Sequence, residues 1–429
     1  MRKTREAPAA ADRDVVRALK ALKNGKHDAN VSGQAGLHPF PARMPVPLAK
    51  YLLTSLLPAP ARVLDPMSGS GSTLVAARLL GHRAAGVDMD PLAVLMARSY
   101  TASYDTSAVE RLGGRLLEKA RKIYAAMPRV SVTELLGGGK EERKFIKYWF
   151  PTTAQRQLYS LREAIRKENN GSLRNVGWLV FSSLIISKGA SVSYAIDIAR
   201  SRPHKDDERD TSLPFSVWDK RYRQLTKRLP FIGDMAGPKP VISRGDARHL
   251  GYASNTVDAV LTSPPYLNAV DYLRGHKFSL LWMGHSLSRL REVRGTMIGS
   301  ERGLWKPDGL PPSMETSLAA ATDDERVQAL SRRYLSDLRY SLLEMKRVVR
   351  PKGLITLVLG PSILDKDEAD SVDVARALAA DVGLEFVVGM LRPLHSDRRS
   401  LPPPSSVLKS SELASRMSQE AIVVMRKSS

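Results

Sequence analysis

The chain has 429 residues, 43% hydrophobic and 26% charged, a composition typical of a globular protein with room for two domains. It contains no cysteine, which excludes a disulfide framework, a thiolate zinc site and a cysteine nucleophile. Since no apolar run is long enough to span a membrane and the N-terminal segment lacks a secretory apolar stretch, we expect a cytoplasmic protein.

The charge balance points to an anionic partner. Lys and Arg total 66 against 44 Asp and Glu, a formal net charge of +22. Such an excess favours a polyphosphate, because each neutralised phosphate releases condensed counterions. A solvated basic surface and an anionic membrane are the alternatives. The membrane is disfavoured, since no basic amphipathic helix with a strong apolar face stands out.

In chain order, residues 1–33 read as a basic tail with one short helix. RVLDPMSGSGS then reads as a buried strand entering a glycine turn, followed by a helix and a second strand, RAAGVD. Asp90 and Pro91 are typical of an N-cap and first helical position. Strand, glycine turn, helix and strand open a doubly wound α/β sheet.

The alternation lapses over residues 101–240, a basic and partly helical segment, and resumes with strands at PVISR and TVDAVL. Further on, Thr322 and Glu325 suggest a capping box for a long amphipathic helix, which RPKG ends. Three more strands follow, GLITLVLG, LEFVVGML and AIVVMRK. We therefore predict a catalytic domain in two parts, 34–100 and 241–429, interrupted by a mainly helical insertion at 101–240.

The glycine turn is the first candidate site. Glycines after a strand let the backbone approach a ligand, and the following helix presents free N–H groups. Asp88 ends the next strand, where such folds place the acid that receives ribose hydroxyls. The alternatives are a purely structural turn and a dinucleotide dehydrogenase, although GSGS lacks the third glycine of GxGxxG.

The second candidate site is Ser263-Pro264-Pro265-Tyr266, directly after the strand VDAVL. Two prolines stiffen the backbone at the carboxyl edge of the sheet, where open α/β folds bind ligands. The aromatic residue that follows is suited to stacking on a flat heterocycle. Simple termination of the strand is the alternative for this motif taken alone.

Together, DPMSGSGST, GVDMDP and TSPPY resemble the DNA amino-methyltransferases, which modify cytosine N4 or adenine N6 with S-adenosyl-L-methionine. The resemblance covers most of the chain outside the insertion and implies a Rossmann-like methyltransferase sheet. It also implies a set of cofactor-binding residues: Asp65, Ser68, Gly69 and Gly71 at the amino-acid portion, Asp88 at the ribose, Asp246 of GDA at the adenine, and Phe40 of LHPFPARM at the methionine end.

The resemblance assigns catalysis to Ser263, Pro264, Pro265 and Tyr266. Serine at the first position is more often seen with cytosine N4 and aspartate with adenine N6, so we expect a cytosine-N4 enzyme and keep adenine N6 as the alternative. Hydrogen bonds from the amine to the Ser263 hydroxyl and the Pro264 carbonyl would activate it for direct in-line transfer. Tyr266 would stack on a base flipped from the duplex.

Other readings stay open: an RNA amino-methyltransferase, a glutamine-modifying enzyme of the same superfamily, and an inactive DNA-binding protein. We expect a protein associated with the nucleoid, in which the insertion recognises the target in DNA. The candidate residues are basic and aromatic: Lys144, Lys147, Tyr148, Trp149, Arg200, Arg202, Lys205, Trp218, Arg221 and Arg223. Trp149 and Trp218 read equally well as core residues.

Residues 293–312 read as a mobile DNA-facing loop. His276 and His285 lack partner acids at metal spacing, so we expect no metal site. The sequence leaves open the recognition sequence, the oligomeric state and whether a cognate restriction endonuclease exists.

Overall fold

The computed structural model describes residues 10–22, 38, 44–187, 192–196, 198, 203–226, 235–266, 272–300, 310–321, 323–360, 371–393 and 419–429. Within these residues, no helix has the length and apolar character needed to cross a bilayer.

Seven strands form one sheet in the order β5-β2-β1-β6-β7-β9-β8. They are β1 (Arg62–Asp65), β2 (Arg83–Asp88), β5 (Val241–Arg244), β6 (Val257–Thr262), β7 (Val349–Leu359), β8 (Glu385–Pro393) and β9 (Gln419–Arg426). Every neighbouring pair is parallel except the two that involve β9. This confirms the predicted Rossmann-like α/β class. The chain reverses its direction of winding between β1 and β6, and ligands bind at such a switch point.

Helices surround this sheet, and a hairpin of β3 (Ala195–Ile196) and β4 (His204–Lys205) lies outside it. In the first half of the chain the helices are α1 (Ala10–Ala21), α2 (Val46–Leu56), α3 (Ser72–Leu79), α4 (Pro91–Tyr100), α5 (Thr106–Ala125), α6 (Val132–Leu135), α7 (Lys140–Trp149), α8 (Thr152–Arg166), α9 (Gly171–Ile186) and α10 (Pro214–Thr226). The remainder are α11 (Tyr272–Leu280), α12 (Leu287–Thr296), α13 (Pro312–Ala321), α14 (Glu325–Val348) and α15 (Ser371–Asp381).

Local sequence explains the elements that carry the two motifs. Every residue of β6 is buried, as expected for a central parallel strand covered on both faces. Gly71 takes the left-handed conformation (φ 86°) at the N-cap of α3, and a Cβ there would lie 2.9 Å from Ala97. Asp90 caps α4 as predicted, accepting a hydrogen bond from the backbone N–H of Leu92.

One predicted cap is wrong. The N-cap of α14 is Asp324, whose carboxylate accepts from the N–H groups of Arg326 and Val327, while Thr322 lies outside the described residues. The helix ends at Val348, just before RPKG, as predicted, but the next strand starts earlier than GLITLVLG, because β7 begins at Val349 and includes RPKG. Within this part of β7, Lys352 has a positive φ of 64°. The pairing of β7 with β6 also shifts register here, between Val257 and Ala259.

The segment 101–240 is mainly helical and packs directly on the sheet's own helices. One continuous apolar cluster joins α4 to α5, α8, α9 and α10 and extends to α11 and α12. Trp218 is fully buried in it and donates its indole N–H to the carbonyl of Gly113, so this residue is part of the core.

Both ends of the same segment meet at one buried side chain. Arg78 of α3 donates to the carbonyl of Thr101 and to the hydroxyl of Ser103, where the segment begins. Its Nε donates over 3.0 Å to the carbonyl of Gly237, where the segment returns. Arg78 therefore holds the two ends of the segment next to each other against α3.

Candidate functional site

A single cleft at the carboxyl ends of β1, β2 and β6 brings the two motifs together. Its empty space, part of which is open to solvent, is about 900 Å³. Its lining includes most of the predicted residues: Asp65, Ser68, Gly69, Asp88, Ser263, Pro264, Pro265 and Tyr266. Asp88 and Tyr266 therefore share one cavity, at the position where the strand order reverses.

Asp88 lies at the end of β2 with both carboxylate oxygens engaged by backbone. One accepts from Gly69 N over 2.7 Å and the other from Asp90 N over 2.9 Å. Desolvation, with a contribution from the nearby Asp90 carboxylate, raises the pKa of Asp88 to about 7. The site thus holds an acid that changes charge near neutral pH.

Asp65 links the two strands that flank the cleft. It is buried at the end of β1 and accepts a 2.6 Å hydrogen bond from the Thr262 hydroxyl at the end of β6. Burial raises the pKa of Asp65 to about 6, although hydrogen bonds from Thr262 and the Met67 N–H oppose the rise. Two carboxylates in one cleft favour a ligand that carries positive charge or hydroxyl donors.

Ser68 is a polar group without a protein partner in this cleft. Its hydroxyl is buried and makes no hydrogen bond to any described residue, whereas buried hydroxyls are normally paired. The adjacent Gly69 also has positive φ (49°), which turns its N–H towards Asp88. An unsatisfied hydroxyl on a glycine turn indicates a position where a ligand supplies the missing partner.

The opposite end of the cleft is formed by the Ser-Pro-Pro-Tyr segment after β6. Ser263 donates its hydroxyl proton to the carbonyl of Val358 on β7 over 3.0 Å. Its lone pairs therefore remain as acceptors, and donation of the proton strengthens them. Tyr266 lies with its ring against Gly360, where an added Cβ would be 2.2 Å from the ring.

Three predicted cofactor residues are not placed on the cleft wall. Gly71 shapes the turn from behind, as described above. Asp246 does not line the cleft, although its neighbour Ala247 does, and both Asp246 oxygens accept from the Arg248 guanidinium. Phe40 lies outside the described residues.

Sequence reasoning missed four apolar lining residues: Met44, Met89, Met297 and Ile298. Met89 follows Asp88 directly and Met44 ends the LHPFPARM segment, so proximity to a motif was an available signal. Met297 and Ile298 follow α12 and belong to the stretch predicted to be a DNA-facing loop. The structure instead places its first residues in α12 and the next two on the cleft wall, while 301–309 lie outside the described residues.

His276 has a partner acid that the sequence did not reveal. Its Nδ1 lies 2.5 Å from the Asp90 carboxylate, and both side chains are buried. This contact ties α11, which follows the Ser-Pro-Pro-Tyr segment, to the N-terminus of α4. In the described part of the chain, His, Cys, Asp and Glu nowhere gather in the groups of three or more that hold a metal.

The chain is similar in sequence to known DNA methyltransferases. Residues 16–99, which include Asp65 and Asp88, match the N6/N4 family described as DNA methylase. The Type II methyltransferase M.MvaI of Kocuria varians is 22% identical over 342 residues, 74% of each chain. The Type II methyltransferase M.BsoBI of Geobacillus stearothermophilus is 26% identical over 265 residues, 54% of this chain and 49% of its own length.

Among solved structures, the complex of the Haloferax volcanii Trm112 methyltransferase activator with a methyltransferase aligns at 11% identity. The alignment covers 98% of this chain and 94% of the other, with a TM-score of 0.32. That score is too low to carry an argument, so the fold class depends on the strand order itself.

Proposed function

We propose that this chain, whose residues 16–99 match the N6/N4 DNA methylase family, transfers a methyl group from S-adenosyl-L-methionine to the exocyclic N4 of cytosine in duplex DNA. One observation supports this most directly. The Ser263 hydroxyl, with its proton directed to Val358, opens as an acceptor into the cleft that also holds Asp88.

The residues of the cofactor end fit this methyl donor, which supplies an electrophilic methyl group on a cationic sulfonium. Asp88 offers carboxylate oxygens to the ribose hydroxyls, and Asp65 places negative charge near the cationic portion. Ser68 gains the partner that it lacks within the protein. The apolar walls made by Met89, Met297 and Ile298 suit the flat adenine, since thioethers pack well on aromatic faces.

The target end prepares a poor nucleophile. The lone pair of an exocyclic amine is delocalised into the ring, so the nitrogen must first become pyramidal. Ser263 Oγ accepts one amine N–H and the Pro264 carbonyl accepts the other, which returns electron density to nitrogen. The rigid prolines hold both acceptors in place, so that catalysis comes from preorganised electrostatics and orientation. After transfer the nitrogen releases one proton to water.

Tyr266 stacks on the target base in this proposal. A base inside a duplex cannot reach the cleft, so it must swing out of the helix, as in other enzymes that modify bases. The Tyr266 ring is half-buried and backed by Gly360 on one side. Tyr266 also lines the cleft, where an extruded heterocycle would stack on it.

The helical insertion recognises DNA in this proposal, through α7. Phe145 and Trp149 of α7 pack on Phe278 of α11, with ring centroids 5.0 and 5.1 Å apart. At its other end α7 reaches α12, because Glu142 accepts from the Leu287 N–H over 2.9 Å. Helix α7 is thus anchored on both helices that follow the Ser-Pro-Pro-Tyr segment.

The outer face of α7 carries the side chains that suit DNA. Lys144 and Lys147 are exposed, and the Tyr148 ring is 49% exposed with the Lys205 ammonium 4.6 Å from its centroid. Exposed lysines on the same helix as an exposed aromatic ring are well suited to phosphates and unstacked bases. Arg200 and Arg202 lie outside the described residues.

Mass spectrometry of modified nucleosides tests the proposed function. Unmethylated DNA is incubated with the chain and S-adenosyl-L-methionine, digested to nucleosides and compared with an untreated sample. We expect N4-methyldeoxycytidine. N6-methyldeoxyadenosine would instead show that adenine is the target base. Methylation of RNA alone would show that the substrate is RNA. Tight DNA binding without any methylation would favour an inactive DNA-binding protein.

A further inference from the structure

Arg392 and Glu420 form a buried ion pair beside the target end of the cleft. They face each other across β8 and β9, and their side chains are 1% and 5% exposed. The Arg392 Nε donates to Glu420 Oε1 over 2.6 Å. A buried ion pair contributes little net stability compared with apolar residues of the same size, because desolvation of both charges offsets their attraction. Stability alone therefore does not explain this pair.

The second carboxylate oxygen of Glu420 faces the Ser-Pro-Pro-Tyr segment. The Tyr266 hydroxyl donates to Glu420 Oε2 over 3.3 Å. Glu420 reaches this position because β9 runs antiparallel to β7, so the first residues of β9 lie beside the carboxyl end of β7. The Tyr266 ring is then held at two places, at its hydroxyl by Glu420 and along one face by Gly360.

We propose that Glu420 is a positioning residue, which Arg392 orients and which fixes the Tyr266 ring for stacking on the extruded base. The proposal depends on the function proposed above. The contacts of the Tyr266 ring with Glu420 and Gly360 both come from residues distant in sequence. A carboxylate oriented by Arg392 gives the hydroxyl an acceptor at a fixed position, and loss of that acceptor weakens the hold on the ring in its stacking orientation.

Two substitutions separate the contacts. Tyr266→Phe keeps the ring and the Arg392–Glu420 pair and removes only the hydroxyl. Glu420→Gln keeps the side-chain shape but removes the charge. We expect each to lower kcat for DNA methylation about ten-fold, comparable to one hydrogen bond to a charged group. The Kd for S-adenosyl-L-methionine should stay within about two-fold, because neither residue lies at the cofactor end.

The same strand pair offers a matched control. Glu385 lies opposite Arg426 at the far end of β8 and β9, with 3.6 Å between the charged atoms. Glu385→Gln therefore removes a carboxylate from the same two strands without touching the cleft, and kcat should not change. A fall in kcat equal to that of Glu420→Gln would mean that loss of any carboxylate from β8 or β9 impairs catalysis, and it would overturn the positioning role.

A double-mutant cycle and a crystal structure complete the test. If Glu420 acts through the Tyr266 hydroxyl, adding Glu420→Gln to Tyr266→Phe should lower kcat less than two-fold further, whereas fully additive losses would refute the proposal. If Glu420→Gln did not fold, Tyr266→Phe with unchanged kcat would refute it alone.

The crystal structure of Glu420→Gln requires no activity: we expect the Tyr266 ring to move off Gly360, and an unmoved ring would overturn the inference. A wild-type chain that methylates no DNA would instead contradict the proposed function, so the two failures are distinguishable.

Discussion

The two ends of the cleft are built in different ways. At the proposed cofactor end Asp88 is positioned by near neighbours, Gly69 and Asp90, which lie 19 and 2 residues from it, although Asp65 also contacts Thr262, 197 residues away. At the proposed target end Ser263 contacts Val358, 95 residues away, and Tyr266 contacts Glu420, 154 residues away. The surroundings of Asp88 are therefore a local structure, whereas the target end depends on how β7 and β9 pack.

The DNA methylase family match ends at residue 99 and covers only the proposed cofactor end, whereas the alignment with M.MvaI extends over 74% of the chain and so also includes the Ser-Pro-Pro-Tyr segment. A short turn between two adjacent strands preserves its geometry wherever the strands pair. A segment supported by distant strands can acquire different supporting residues without changing its own sequence. Substitutions at the two ends should accordingly alter different steps of the reaction.

The largest expected effect comes from Ser263→Ala at the target end. Loss of the acceptor for the amine should lower kcat about 100-fold or more, the cost of removing one preorganised polar group from an active site. The Kd for S-adenosyl-L-methionine should not change, which calorimetry can measure. Ser216→Ala is the control, because Ser216 also donates to a carbonyl but is exposed to solvent on α10. Unaltered turnover in Ser263→Ala would show that the catalytic site is misassigned.

Next in size is Gly360→Ala. A Cβ at this position would lie 2.2 Å from the Tyr266 ring, so the ring must move, and we expect kcat to fall about ten- to a hundred-fold. Gly114→Ala is the matched control, because a Cβ there meets nothing within 4 Å. Steady-state kinetics of both variants decide the outcome. Equal activity would mean that the ring position is not needed for transfer.

At the cofactor end, Asp88→Asn should raise the Kd for S-adenosyl-L-methionine about ten- to a hundred-fold, since hydrogen bonds to a charged acceptor are lost. DNA binding without cofactor should be unaffected. The exposed Asp373 provides a comparison carboxylate, and Asp373→Asn should bind the cofactor normally. If Asp88→Asn lowered DNA affinity instead, the two ends would not be separable in the way described.

The pH dependence of cofactor binding should be a smaller effect than the loss of cofactor affinity in Asp88→Asn. The pKa of Asp88 is raised to about 7, and the carboxylate is the better acceptor for ribose hydroxyls. Affinity should therefore increase about ten-fold from pH 6 to pH 8, with release of a proton on binding. In Asp88→Asn the remaining change should centre near 6, the value for Asp65. A flat calorimetric profile for the wild-type chain would contradict this assignment.

The smallest effect is expected from a substitution in the insertion. Lys147→Ala should weaken DNA binding a few-fold and reduce the slope of log affinity against log salt by about 0.9, the value for one phosphate contact. Lys122, paired with Glu118 on α5, supplies the control substitution to alanine. If the slope of log affinity against log salt were unchanged in Lys147→Ala, the proposed contact of α7 with DNA would be wrong.

The sequence was sufficient for the fold class and for the polar residues and the Ser-Pro-Pro-Tyr segment of the cleft, but not for its apolar wall. Asp65 and Asp88 end recognisable strands and Tyr266 follows one, and parallel strands bring their carboxyl ends together. Glu420 and Gly360 were not predictable, because an antiparallel last strand must first place them beside Tyr266. Asp324 was missed as a cap since Thr322 offered an equally good pattern close by. His276 pairs with Asp90 only through tertiary packing.

The two junctions held by Arg78 have an evolutionary consequence. Because the chain leaves the sheet at Thr101 and returns at Gly237 beside the same guanidinium, the spacing of β2 and β5 does not depend on how much polypeptide lies between. Loop-closure entropy changes only slowly with length. Segments of different length could thus be exchanged at this point during evolution without disturbing the pairing of β2 and β5.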